Sequence, residues 1–75
     1  MDHSALSGRQ IAAARTLLGI GQKELADASR ISVPTLKRME GSDGVAAGLP
    51  NNVLAVRAAL EAAGVEFIDG GVRLK

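Results

Sequence analysis

Seventy-five residues with nine Lys or Arg against eight Asp or Glu, a formal charge of +1, describe one small domain that is neither a histone-like polycation nor an acidic tail. There is no cysteine, which excludes a disulfide framework and a zinc–thiolate site, and the apolar runs are too short and too interrupted by Arg and Gly to span a bilayer. The chain is 47% hydrophobic with Phe67 its one aromatic ring, so the expected core is Ala, Leu, Val and Ile in close-packed helices. At this size only about 60% of the surface is buried on folding, and help from a partner chain is expected.

Residues 1–5 have no periodicity and read as a loose tail, and the lone His3 reads as a solvated side chain rather than a ligand or base. No basic-then-apolar segment opens the chain, so no secretion signal is expected and the cytoplasm is the default location. Ser7-Gly8-Arg9-Gln10 fits a capping box, with Leu6 and Ile11 placed as the accompanying hydrophobic staple. The spacing predicts a first helix over Gly8–Leu18 with Ile11, Ala14 and Leu18 as its stripe and Leu17 flanking, ended by a left-handed Gly19. Arg9 and Arg15 lie off the stripe, either as a solvated face or as phosphate contacts.

Ile20 links into the core, and Gln22–Ser29 forms a second helix with Leu25, Ala28 and Ser29 on or near one face. Ala26 is small enough for another backbone to come close. Arg30 and Ile31 make a turn, and Ser32 caps a third helix, Val33–Glu40. Pro34 falls in its first turn, where a missing N–H costs little. Leu36 and Met39 point one way, and Val33, Pro34, Lys37 and Arg38 point the other. That outward set holds two cations, two small apolar residues and no acid. Such a face on a helix braced by a second suits a DNA major groove.

Gln22, Leu25, Ala26, Ile31, Ser32, Thr35, Leu36, Met39 and Glu40, at this joint spacing, resemble the Xre/Cro-type, lambda-repressor-like helix-turn-helix family. The resemblance covers about residues 10–60. It implies a mainly α fold, a four-helix lambda-repressor-like helix-turn-helix domain. It also implies a sequence-specific DNA-binding regulator of transcription, a homodimeric repressor on an inverted repeat of double-stranded DNA. By the resemblance, Ser32, Val33, Pro34, Lys37 and Arg38 lie nearest the bases. Gln22 then braces the third helix or contacts a phosphate, although it also reads as a plain helix former. Lys23, Arg30 and Ser42 add contacts around them. Arg38 could bond bidentately to guanine, worth about 1–3 kcal/mol of discrimination. Lys37 reads a base or holds a phosphate, whereas Val33 and Pro34 can only touch a thymine methyl or exclude wrong shapes.

Two positions depart from the family pattern. Gly21 stands where Ser or Thr usually caps the second helix. Arg30 stands where glycine usually supplies a positive φ, a conformation costing other residues roughly 1 kcal/mol. Either the turn differs here or that cost is absorbed.

Residues 41–48 are a flexible loop by composition, whose amides near Gly41 and Ser42 either contact phosphate or merely connect; there is no Walker pattern. Pro50 with Asn51 or Asn52 opens a fourth helix, about residues 51–63, with Val53, Val56 and Leu60 as its stripe and Leu49 and Leu54 as added apolar surface. Arg57 and Glu61 form an i, i+4 pair on its outer side, and Gly64 ends it. Val65–Ile68 and Gly71–Leu74 alternate around Asp69-Gly70, a favoured hairpin turn. A lone hairpin is marginal in water, so this one packs on the helices, pairs with another chain, or frays. Similar small bacterial regulators carry the same Ala-Ala-Gly-Val-Glu-Phe-Ile tail. Twofold pairing through Phe67, Ile68, Val72 and Leu74, with Phe67 as anchor, would make a homodimer.

A second function class is a protein-interaction module, such as an antitoxin or antiactivator, which binds a protein partner with the same fold. The apolar Val33-Pro34 and the low net charge favour it. No enzyme is expected: the acids are scattered, nothing gathers metal ligands or a cofactor, and no catalytic group stands out.

Overall fold

The computed structural model describes residues 6–42, 44, 46 and 48–75. The expected N-terminal tail with His3, and Asp43, Val45 and Ala47 of the loop, lie outside the described residues. The element order is α1 (Gly8–Leu18), α2 (Gln22–Ser29), α3 (Val33–Glu40), α4 (Pro50–Ala63), β1 (Val65–Ile68) and β2 (Gly71–Leu74). The protein is thus mainly α with a C-terminal two-stranded antiparallel hairpin.

Each boundary has a local cause. Ser7 Oγ accepts the Gln10 N–H at 3.0 Å and Gln10 Oε1 accepts the Ser7 N–H at 2.9 Å, a complete capping box that starts α1. Leu6 and Ile11 are buried around it. Gly19 ends α1 at φ 69°, and its N–H donates back to Thr16 O. Gly21 brings no hydroxyl to α2; its own N–H donates instead to Glu24 Oε1 at 3.3 Å. Helix α4 begins at Pro50, one residue before the expected 51, because Leu49 is extended and proline's fixed φ suits the first helical position.

The core gathers from the four helices, β1 and two flanking segments: Leu6, Ile11 and Ala14; Leu25 and Ala26; Leu36 and Met39; Ala46; Val56, Leu60 and Val65. Ala28, expected near the buried face of α2, is exposed, and Ala26 takes that place. Small side chains are needed there, since α2 packs closely against both α3 and α4. Gly8 marks a tighter approach. A Cβ there would stand 2.2 Å from Met39 O and 2.9 Å from Glu40 O, so only glycine lets the start of α1 meet the end of α3. The positive end of one helix dipole faces the negative end of the other.

The loop after α3 is less free than its composition implied. Ala46 is buried and donates to Leu6 O at 2.8 Å, and Gly8 donates to Gly44 O at 3.2 Å, which ties the loop to the entrance of α1. The hairpin pairs Val65 with Leu74 and Phe67 with Val72, and it packs on the helices rather than fraying. Val65 is fully buried, and Phe67 and Val72 pack against the core. No described helix is long and apolar enough to cross a membrane.

Candidate nucleic-acid interface

Helix α3 is held inward by two fully buried residues, with a third packed beside them. Leu36 and Met39 are both 0% exposed, while Pro34, Lys37 and Arg38 face solvent. Val33, expected to point outward with them, is half-buried and packs against the core. The helical period explains it, since Val33 precedes Leu36 by three residues and shares its side. At the N-terminus, Ser32 Oγ accepts the Thr35 N–H at 3.2 Å and lies 2.8 Å from Thr35 Oγ1. The hydroxyl is therefore occupied by capping, with Ser32 itself exposed.

The C-terminus of α3 is fixed by a network that links three helices. Arg15 donates from Nε to Glu40 Oε2 at 2.9 Å and from Nη2 to Glu40 Oε1 at 3.0 Å, a bidentate pair. Gln22 Nε2 donates to the same Glu40 Oε1 at 3.2 Å, and Arg15 Nη1 donates to Ile20 O. The Glu40 side chain is only 8% exposed and that of Arg15 22%. The hydrogen bond to Glu40 holds the Arg15 guanidinium above its ordinary range; partial burial opposes this and the carboxylate's charge adds to it. Arg15 is thus not a free solvated side chain: it carries α1 onto α3. Gln22, which had also read as a plain helix former, braces α3.

Arg30 adopts the left-handed conformation, φ 58°, so the turn keeps its shape and absorbs the cost of a non-glycine residue. Its N–H donates to Asp27 O, the next amide, Ile31, donates to Ala26 O at 3.0 Å, and the Arg30 residue is exposed beside α3. Lys23 is exposed but bonded to Asp27 at 3.2 Å. The amides of Gly41 and Ser42 donate to Lys37 O and Met39 O, and Ser42 Oγ donates to Arg38 O at 3.0 Å. Those donors therefore close the end of α3 rather than standing open to a phosphate. Gly41 itself is right-handed, φ −81°.

The charge pattern follows from these placements. Arg30, Lys37 and Arg38 are exposed in and beside α3, and its one acid, Glu40, is withdrawn against Arg15. A chain of net charge +1 thus carries one face that is locally cationic.

No protein-family model matches the chain, and no curated protein matches it significantly.

The expected dimer residues divide. Phe67 and Val72 are half-buried against the protein's own core, and the Arg57 guanidinium lies 5.5 Å above the Phe67 ring. Phe67 is therefore an internal anchor, and Arg57, although 3.4 Å from Glu61, is partly covered rather than on an outer side. Ile68 and Leu74 are exposed at 45% and 54%. Two features had no signal in the local sequence: the Arg15–Glu40 pair, spanning 25 residues, and the bonds from Gln10 Nε2 to Ile68 O and Gly71 O, both 2.9 Å. Pairings at such separations leave no periodicity.

Proposed function

We propose that the protein is a sequence-specific DNA-binding regulator of transcription of the Xre/Cro type, a cytoplasmic homodimeric repressor that reads an inverted repeat. The observation that carries this reading is α3. Its inner face and both ends are fixed, while Pro34, Lys37 and Arg38 stand free to meet a groove and its only acid is neutralised from within. Arg38 is the candidate base reader; Lys37, Arg30 and Lys23 are candidates for holding the phosphates.

Size supports a dimer. The described residues extend 28 × 22 × 18 Å, less than the roughly 34 Å between successive major-groove faces, so one copy fits one half-site. The hairpin leaves two apolar side chains exposed for a second copy, Leu74 at its open end and Ile68 on the opposite face beside the turn. Leu17, at the C-terminal end of α1, is itself 46% exposed.

Selection of bound sites from a random duplex pool tests the reading. An enriched inverted repeat with half-sites about 10 base pairs apart, bound with an affinity that falls steeply as salt rises, supports it. A pool that enriches nothing overturns it. The second reading, a protein-binding module, is favoured by Leu49 and Leu54, 68% and 50% exposed at the start of α4. It predicts no specific DNA shift at any salt concentration.

A further inference from the structure

The first turn of α1 is gripped from two sides. On one side Gly8 abuts the carbonyls at the end of α3. On the other, Gln10 reaches the turn end of the hairpin, where its Nε2 donates to both Ile68 O and Gly71 O at 2.9 Å while its Oε1 caps the Ser7 N–H. One N–H donor and two carbonyl acceptors match one amide oxygen and two amide hydrogens, so all three bonds form together and fix the amide's orientation. The two carbonyls flank Asp69-Gly70, so the bonds hold the turn end of the hairpin, the end opposite the buried Val65.

Resting on the dimeric DNA-binding reading above, we propose that Gln10 is a positioning residue that, together with the core packing of Val65, Phe67 and Val72, fixes the angle between hairpin and helical body, and through it the half-site spacing the dimer accepts. The reasoning is mechanical. If two copies join through their hairpins, each reading helix is placed on DNA through the joint between hairpin and α1. A stiff joint accepts one spacer. A loose joint accepts neighbouring spacers and lowers the effective concentration of the second helix at its half-site. The same first turn touches the C-terminus of α3, so the path from hairpin to reading helix is short.

Gln10→Glu separates the two roles of the side chain. Glutamate still caps Ser7, as a capping box admits either residue, and its charge suits a helix N-terminus. It has no N–H for Ile68 O or Gly71 O. In the full chain, amide exchange in the hairpin should accelerate while that of α1 stays slow. Binding is then measured on synthetic duplexes carrying the selected half-site with the spacer varied one base pair at a time. The wild type should prefer one spacer sharply; Gln10→Glu should lose about ten-fold of that preference, with single half-site affinity and the dimer constant unchanged. Gln10→Ala, which also loses the cap, should show the same loss on a less stable fold. A Gln10→Glu chain with wild-type hairpin exchange or wild-type spacer preference overturns the inference alone, and so does one that no longer dimerises or no longer binds a single half-site. A wild type that binds no duplex specifically, or that binds one half-site with no gain from a second, overturns the reading beneath it.

Discussion

Helix α3 and the C-terminal hairpin are both laid on the same core, yet they turn opposite chemistries outward. Helix α3 buries Leu36 and Met39 and presents Pro34, Lys37 and Arg38. The hairpin buries Val65 and half-buries Phe67 and Val72 on the face that carries Leu74 at its exposed edge, and presents Ile68 with the cross-strand pair of Glu66 and Arg73 on the other. Their fastenings differ as well. A side-chain network from Arg15 and Gln22 fixes the end of α3 through Glu40, whereas Gln10 holds the hairpin by its backbone carbonyls. The difference teaches that net charge near zero says little about how a surface is divided: the outer side of α3 carries cations with its one acid withdrawn, while the hairpin pairs its two charges across the strands.

Five substitutions sharpen or break that contrast. The largest effect is expected at Leu36→Ala, about 2–5 kcal/mol of lost stability in urea unfolding, because it empties a fully buried site. Ile68→Ala, on the outward face of the hairpin, should change stability by no more than about 0.5 kcal/mol. Equal losses at the two sites would erase the distinction between inner and outer faces.

Next comes Glu40→Ala, which leaves the partly buried Arg15 without its carboxylate. About 2–3 kcal/mol is expected, below the range for a fully buried pair because Arg15 keeps some exposure. The pH dependence has a definite sign. Arg15 is shifted upward in the folded state, so its share of stability is present at every pH below its unfolded value and is lost only as pH rises through the folded one. An Arg15-dependent loss of stability near neutral pH would contradict the pair.

Leu74→Glu should leave the monomer folded, since that side chain is more than half exposed, but should weaken self-association in sedimentation by about ten-fold or more. Removing residues 65–75 is a poorer test, because it withdraws Val65 from the core as well. A small effect of opposite sign is expected at Arg30→Gly. It relieves the left-handed conformation and should raise stability by about 1 kcal/mol or less. If Arg30 touches a phosphate, the same change lowers the salt slope of DNA binding by about one.

Local signals account for most of what the sequence made legible. Ser7 with Gln10, Gly19, Ser32 with Pro34 and Gly64 all set helix ends through short-range bonds, and Asp69-Gly70 set the hairpin turn. The inward residues Leu36 and Met39 followed from a period of 3.6. What the sequence hid was long-range or competitive. Arg15 and Glu40 meet only because α1 and α3 cross, and Gln10 finds the hairpin 58 residues away. Val33 sits where two readings of the same period compete, and the core wins. Gly41 and Ser42 look like open amides until the last turn of α3 claims them. The outward placement of Lys37 and Arg38 was legible from the same period.

The most direct test compares site selection by the wild type and by Arg38→Ala. If the outward face of α3 reads base edges, the variant keeps its fold and its phosphate-driven affinity but loses preference at one base pair in each half-site, by about 1–3 kcal/mol. A variant that selects the same motif with the same affinity would contradict that placement of Arg38.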